Sequence, residues 1–399
     1  MITAILSARK MTADGGLRAG LKMGGRSVLA WQTQVMRSLG CERFICLCDS
    51  LPKEVADVQL SIEASGHEFH AVRSSLQFVS LLRADDVAVV MLDGLMPQEA
   101  VCHDMLVGKT GLRRAILTIP ADHPLAEAHP EDFERIDAQR NWGGIAVMRA
   151  VHAQKLAEMP PDVEIMSLLL RLGLQARCDT VPVPADALTN GDWLLANSER
   201  AIASRQSALI ARNAAAAPII APLDAIAAKV ATMLAPKGMS QDYALIAGLS
   251  ALTLFAGGAI FAWFGYAIAA LFTGAVAALL ASFAISWKEL KSALLGEGRD
   301  ERNTIIIRYI LAAIATVLLT LSLMAYGQNS AVLALAPLLS GLALLAGTGR
   351  RSRLAAFWGD TAFHLAILGV CAAFGLLAEG MAVLALGAMS ALMLRSFRN

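Results

Sequence analysis

The sequence predicts two architectures in series: an α/β doubly wound domain, then an all-α membrane domain of six helices. Three observations predict them. Hydrophobic residues make up 56% and charged residues 17% of the 399 residues, against about 45–50% and about 25% in soluble proteins. The apolar excess is confined, because residues 1–200 hold most of the charges and 243–395 is almost continuously apolar. In the first half short apolar runs alternate with helical periodicity, the pattern of a sheet interleaved with helices.

The elements of the first half follow in order. Ile2 to Leu6 is a short apolar strand, and a polar, Gly-containing loop runs on to Gly25. Val28, Trp31, Val35 and Leu39 recur at helical spacing up to Gly40. Arg43 to Cys48 reads as a second strand, Pro52–Ser65 as a helix, Glu68–Val72 as a strand and Leu76–Arg83 as a helix. Val87 to Leu92 is a buried strand with Asp93 at its end. Ligands of doubly wound sheets bind beyond the carboxyl ends of the strands. The loop after the first strand and Asp93 therefore both point at the expected site.

In the second half, apolar stretches run at about 243–262, 265–285, 304–325, 330–347, 361–377 and 379–395. Each is near the roughly 17–25 residues that cross a bilayer as a helix. Basic residues fall in every second gap: Lys288, Lys291, Arg299, Arg302 and Arg308, then Arg350, Arg351 and Arg353, then Arg395 and Arg398. The intervening gaps hold Trp263-Phe264-Gly265-Tyr266, Gly327-Gln328-Asn329-Ser330 and the single charge Glu379. The positive-inside rule then puts both termini and the basic gaps in the cytoplasm, and a bacterial-type inner (plasma) membrane is the expected location. The opening residues lack the order of a signal peptide, since Arg9 and Lys10 follow the apolar run. Gly257-Gly258, Gly274 and Gly341 suit close helix packing in lipid.

Between the halves lies residues 197–242. Ser198 reads as an N-cap with Glu199 in the first turn. Ile219, Leu223, Ile226, Ala227 and Val230 then recur at helical spacing, an amphipathic juxtamembrane helix on the cytoplasmic leaflet. A plain helical linker is the alternative. The expected boundaries are 1–196, 197–242 and 243–399.

Net charge is +1 and aromatic content 6%, so neither a basic field nor a stacking platform directs the chain to nucleic acid. The six cysteines lack zinc or disulfide spacing and read as reduced packing residues. His67-Glu68-Phe69-His70 lacks the spacing of a zincin, and Asp122-His123 with His129 reads as a loop.

The first strand, the Gly-containing loop, Gly24-Gly25-Arg26-Ser27-Val28-Leu29 and the helix ending Leu39-Gly40-Cys41 resemble the sugar-phosphate nucleotidyltransferase family. That family opens with a Leu-x-Ala-Gly-x-Gly-x-Arg loop, then Pro-Lys, then Gly-Gly-x-Pro-Leu. Here the loop reads Leu6-Ser7-Ala8-Arg9-Lys10-Met11-Thr12-Ala13. The family's glycines fall on Arg9 and Met11, its arginine on Ala13 and its lysine on Arg18. Asp93 matches the magnesium-binding aspartate in type and place. Asn141 to Val147 resembles a later Gly-containing strand of that family. Asp162 to Leu172 is similar to a piece of inositol-1-phosphate cytidylyltransferase domains fused to a membrane domain. In those fused proteins an amphipathic juxtamembrane helix leads into a six-helix CDP-alcohol phosphatidyltransferase domain. Pro222-Leu223-Asp224 and the run to Met239-Ser240-Gln241 resemble that approach.

The resemblance implies CTP or a CDP-alcohol as ligand, with Arg9, Lys10, Arg18 and Asp93 at the nucleotide. It also implies Mg²⁺ on Asp93 if the protein is active. Phosphate loops use glycines so that backbone N–H groups approach closely, and Arg9 and Met11 crowd that approach. In the membrane half the family carries Asp-Gly-x-x-Ala-Arg, a glycine and two further aspartates, which together hold two metals. The matching segment here runs from Ser286 to Arg302 without that cluster. Glu289, Asp300, Asp360 and His364 are the membrane-site candidates, and no catalytic residue is assigned.

Three functional readings remain at this stage. One is a degenerate, non-catalytic relative of the fused enzyme, an inner-membrane partner or regulator in phospholipid or head-group synthesis. Another is an active nucleotidyl or phospho-alcohol transferase with diverged motifs. The last is a membrane scaffold with a protein-binding soluble domain. The bilayer and anionic lipid are expected partners, together with a membrane-protein partner or a second copy. Reporter fusions check the topology: Asn329 and Glu379 should read outside, and Gly298 and Arg351 inside. A cytoplasmic signal at Asn329 sinks the six-span arrangement.

Overall fold

The structure is a computed structural model that describes residues 1–109, 111–159, 164–213, 220–238, 242–294, 301–347 and 353–396. The chain divides into two compact units, Met1–Gln206 and Ser207–Asn399.

The first unit is built on a seven-stranded mixed sheet. Its strands are β1 (Ile2–Ser7), β2 (Arg43–Leu47), β3 (Glu68–Val72), β4 (Val87–Met91), β5 (Ala115–Pro120), β6 (Arg140–Arg149) and β7 (Asp179–Pro182). The spatial order is β7-β5-β6-β4-β1-β2-β3. β1 runs parallel to both β2 and β4, with Ile5 opposite Ile45 and Val90. β6 runs antiparallel to β4 and β5. β1, β2 and β4 are apolar along most of their length because both faces of the sheet are covered.

The expected elements from Ile2 to Met91 stand within a few residues of their expected limits. Helix α1 spans Val28–Ser38, with Ser27 capping it through its hydroxyl. Helix α2 spans Lys53–Ala64. Helix α3 (Ile165–Gln175) covers most of the described part of the segment similar to cytidylyltransferase domains. Asp162 and Val163 lie outside the described residues. β5 and β7 were not expected from sequence.

The strand order places the loop after β1 beside the end of β4. From β1 the chain steps outward to β2 and β3, then crosses back to lay β4 on the other side of β1. The crevice beyond the carboxyl ends of β1 and β4 is where the order reverses. α1 fixes one wall of it. Gln32, with no exposed surface, donates from Nε2 to the carbonyls of Leu92 (2.8 Å) and Leu95 (3.0 Å), on either side of Asp93. Trp31 donates its indole N–H to the Pro97 carbonyl at 3.0 Å.

Beyond the sheet, Ser198 caps helix α4 (Glu199–Asn213) as expected, accepting from the Ala201 amide at 3.3 Å; α4 begins in the first unit and ends in the second. Helix α5 spans Pro222–Gly238 and packs along the second long helix of the bundle. Ala227, Ala231 and Ala235 are buried on it, whereas Ile226, Val230, Met233 and Leu234 are exposed. The expected apolar stripe is thus split. Ala227, followed by Ala231 and Ala235, faces the bundle, where small side chains allow close approach; Leu223 packs against the same core, whereas Ile226 and Val230 point outward. Ile219 lies outside the described residues.

The bundle comprises α6 (Tyr243–Trp263), α7 (Ala267–Leu294), α8 (Glu301–Ala325), α9 (Leu335–Gly347, preceded by the turn Ser330–Leu333), α10 (Thr361–Ala373) and α11 (Leu377–Ser396). Among the described residues five helical stretches are long and apolar enough to cross a membrane. α10 is not one of them. Its 13 residues extend about 20 Å at the α-helical rise, short of the roughly 30 Å hydrocarbon core. The expected run to residue 377 is cut by Gly375, whose φ of +74° ends the helix before the next begins. Gly258 faces the Ala270 carbonyl and Gly274 the Leu318 side chain, so both sit in close contacts. A Cβ added at Gly257 or Gly341 would meet nothing within 4 Å, so neither marks a close contact.

Gly144 holds the strand end next to the crevice. Its carbonyl accepts from Leu92 N at 2.8 Å, its φ is +92°, and an added Cβ would stand 2.9 Å from Leu95 Cδ2. Gly144→Ala combines backbone strain with crowding and should destabilise the first unit by about 1–3 kcal/mol. Chemical denaturation of the full-length protein, followed by labelling of its buried thiols, measures this. Wild-type stability in the variant contradicts the assignment.

Candidate functional site

Asp93 is the centre of the crevice. It is 1% exposed, one residue beyond Leu92 at the end of β4. Its Oδ2 accepts the backbone N–H of Arg9 (2.8 Å), the backbone N–H of Lys10 (2.9 Å) and the Ser7 hydroxyl (3.3 Å). The loop after β1 is thereby folded onto Asp93. Its Oδ1 is buried with no hydrogen-bond partner. Burial pushes the Asp93 carboxyl up to about 6, against the pull of the Lys10 and Arg9 amides, of Arg18 and of Ser7.

The three basic candidates surround the same loop, and each is engaged. Lys10 Nζ and Arg18 Nη1 both reach Asp132 Oδ1, at 2.6 and 2.9 Å. Arg9 Nη2 donates to the Arg73 carbonyl at 2.6 Å, and its Nε pairs with Asp49 at 2.9 Å. The structure therefore brings Arg9, Lys10, Arg18 and Asp93 together, as expected for a shared site. It also adds Asp132, buried to 4% exposure, which Lys10 and Arg18 share, and the exposed Asp49, which pairs with Arg9. Asp132 follows Pro130-Glu131 in a loop with no motif to mark it. Cys48, read from sequence as packing, stands at this end of the sheet. Its thiol is lowered to about 7, first by a hydrogen bond from Cys46, then by Arg9 and Arg73 against the effect of burial.

These residues do not fit a divalent metal. Oδ2 of Asp93 is taken by two amides and a hydroxyl, and Oδ1 is closed off. Among the described residues no group of three or more His, Cys, Asp or Glu side chains can hold a metal ion. His123 caps the helix Pro124–Ala128 and His129 faces Asn197, both structural roles.

In the second unit the candidates separate. Asp300 lies outside the described residues, and Glu289 stands half-buried near the end of α7. Asp360 and His364 do share a turn, with the His364 amide bonded to the Asp360 carbonyl. Asp360 is fully buried and works as a double cap. Its Oδ1 accepts from Phe363 N (3.0 Å) at the start of α10. Its Oδ2 accepts from Leu223 N (3.0 Å) and Asp224 N (3.2 Å) at the start of α5. Asp224, which sequence reading passed over as part of a juxtamembrane helix, lies beside it. Burial pushes the Asp224 carboxyl up to about 6, with Ser282 and Arg308 opposing and Asp360 adding to the rise.

Compared with known proteins, the chain matches no family model and no curated protein.

The Asp93 pKa has a signed consequence. The folded value of about 6 lies above the ordinary 3.8. Its stabilising contribution is therefore complete below about 3.8 and lost as pH rises through about 6. At about 1.36 kcal/mol per pKa unit the loss amounts to about 3 kcal/mol. Asp93→Asn removes this dependence. Dithiodipyridine labelling of buried Cys46 and Cys102 in the full-length protein reports opening of the first unit. The ratio of variant to wild-type labelling rates should fall as pH rises from about 4 to about 7. A pH-independent ratio contradicts the burial argument.

Proposed function

We propose that the chain is a membrane-anchored, non-catalytic relative of the fused cytidylyltransferase and CDP-alcohol phosphotransferase proteins. In this reading its first unit is a doubly wound, nucleotidyltransferase-like head. Its second unit crosses a bacterial-type inner membrane six times, α10 being the short fifth crossing, with both termini cytoplasmic. It acts as a partner or regulator in phospholipid or head-group synthesis.

The observation that carries this reading is the capture of the Arg9 and Lys10 amides by Asp93. Phosphate-binding loops present such amides to the ligand. Here the protein's own carboxylate receives them. A nucleotide phosphate entering the crevice would meet a like charge at Asp93 and cations already paired with Asp132 and Asp49. Hydrogen bonds to charged groups contribute about 1.5–3 kcal/mol each, so a phosphate has to offset the loss of each one it displaces. The second unit supports the same reading. Asp360 accepts three amides, which occupy most of its lone pairs and tie both of its oxygens to helix ends rather than to a metal.

Two assays on the purified full chain test the proposal. CTP with Mg²⁺ should bind weakly or not at all, and Asp93→Asn should leave that result unchanged. No phospho-alcohol should be transferred from a radiolabelled CDP-alcohol at any Mg²⁺ or Mn²⁺ concentration. Micromolar CTP binding with transfer to a sugar or inositol phosphate overturns the proposal. So does CDP-alcohol turnover that disappears on substitution of Glu289 or Asp300.

A further inference from the structure

Beside Asp360 the second unit carries polar side chains that the reading above does not use. Asp360 needs nothing more, since its charge is offset by the N-termini of α5 and α10 and its oxygens accept three amides. Asp224 is different. Its Oδ1 is buried without a hydrogen-bond partner, while Ser282 of α7 hydrogen-bonds to the carboxyl and Arg308 of α8 stands within electrostatic reach of it. One turn along α10 from Asp360, His364 is 6% exposed, and its Nε2 is also buried without a partner. A carboxylate oxygen and an imidazole nitrogen left unpaired in an apolar bundle are costly to bury. Ionisable groups in such bundles mark ligand sites.

The chemistry of the cluster selects the ligand. With Asp360 offset by the helix ends, Asp224 and Arg308 form one negative and one positive group. The unpartnered acceptor Asp224 Oδ1 calls for a charged N–H donor, and Arg308 for an anion such as phosphate. Arg308 is exposed, and its neighbours on α8, Ile305, Ile306, Tyr309 and Ile310, are exposed too. Those apolar side chains give acyl chains a surface beside Arg308. We propose that Asp224, Arg308 and His364 form a binding site for a phospholipid head group that carries a primary ammonium beside its phosphate. The ammonium donates to Asp224 Oδ1, the phosphate pairs with Arg308, and His364 Nε2 is the cluster's second unpartnered polar atom. The site is independent of the reading of the first unit.

The test is lipid retention by the purified full chain in native mass spectrometry. The probes are phosphatidylethanolamine, phosphatidylcholine and phosphatidylglycerol with matched acyl chains, and soluble phosphoethanolamine as competitor. Phosphatidylcholine keeps the positive charge but lacks N–H donors, and phosphatidylglycerol lacks the ammonium. Phosphatidylethanolamine should be retained at least tenfold over either. Asp224→Asn, which keeps the backbone amide that Asp360 caps, should bring the three lipids within about twofold of one another. Arg308→Gln, on an exposed position, should lower retention of phosphatidylethanolamine about tenfold and carries the test if the first variant does not fold. Equal retention of the three lipids by the wild type overturns the proposal, as does a preference that survives Asp224→Asn or unchanged retention in Arg308→Gln. Soluble phosphoethanolamine competing as well as the lipid overturns the assignment to a lipid.

Discussion

The acceptance of two backbone amides by the Asp93 carboxylate is the contact on which the first unit's crevice depends. It joins the ends of the two central strands, β1 and β4, at the point where the strand order reverses. The surrounding contacts serve it. Gln32 holds the carbonyls on both sides of Asp93, and Gly144 takes the amide of Leu92 in a backbone conformation that glycine adopts readily. Asp132 then draws in Lys10 and Arg18 from the same loop. A carboxylate buried this deeply is destabilising when charged. Its amide donors reduce that penalty without removing it, and the raised pKa records the balance.

The second unit repeats the device with different elements. Asp360 receives amides from two helix N-termini, so one carboxylate fastens α5 to α10. Negative charge is favourable there because both helix ends are positive. Asp93 and Asp360, the buried aspartates of the two candidate sites, thus each accept backbone amides on at least one oxygen. Among the described residues, Asp93 Oδ1 and Asp224 Oδ1 are the buried carboxylate oxygens left without a partner. In the first unit the leftover oxygen is closed off, and the cations of that loop are already paired. In the second, exposed Arg308 stands within electrostatic reach of the carboxyl, which is why only that cluster is assigned a ligand.

Much of this was legible in the sequence. A lone carboxylate closing the apolar run Val87–Leu92 marks a strand end at a crevice, and Asp93 stands there. Arg9 and Met11, where the resembling family has glycines, signal a loop whose amides do not face a phosphate. The partners Asp132, Asp49 and Arg73 were not legible, because each comes from a distant segment that no local pattern ties to the loop. The direction of β6 was hidden too, since a strand buried on both faces reads the same either way. β7 is short, partly exposed and ends in proline, so it lacks an alternating signal. Hydropathy also joined residues 361–377 into one span, because a single glycine turn at Gly375 leaves mean apolarity unchanged. On α5 the periodicity was legible, but the buried face is set by the small volume of alanine rather than by hydrophobicity.

Amide hydrogen exchange at Arg9 and Lys10 in the full-length protein tests the central claim most directly. If Asp93 holds these two N–H groups, both are protected in the absence of any ligand, and adding CTP with Mg²⁺ leaves their rates unchanged. Replacing Asp93 by alanine speeds both while the β2 amides stay slow. Fast exchange at Arg9 and Lys10 in the wild type, with protection appearing only when nucleotide is added, would contradict the account.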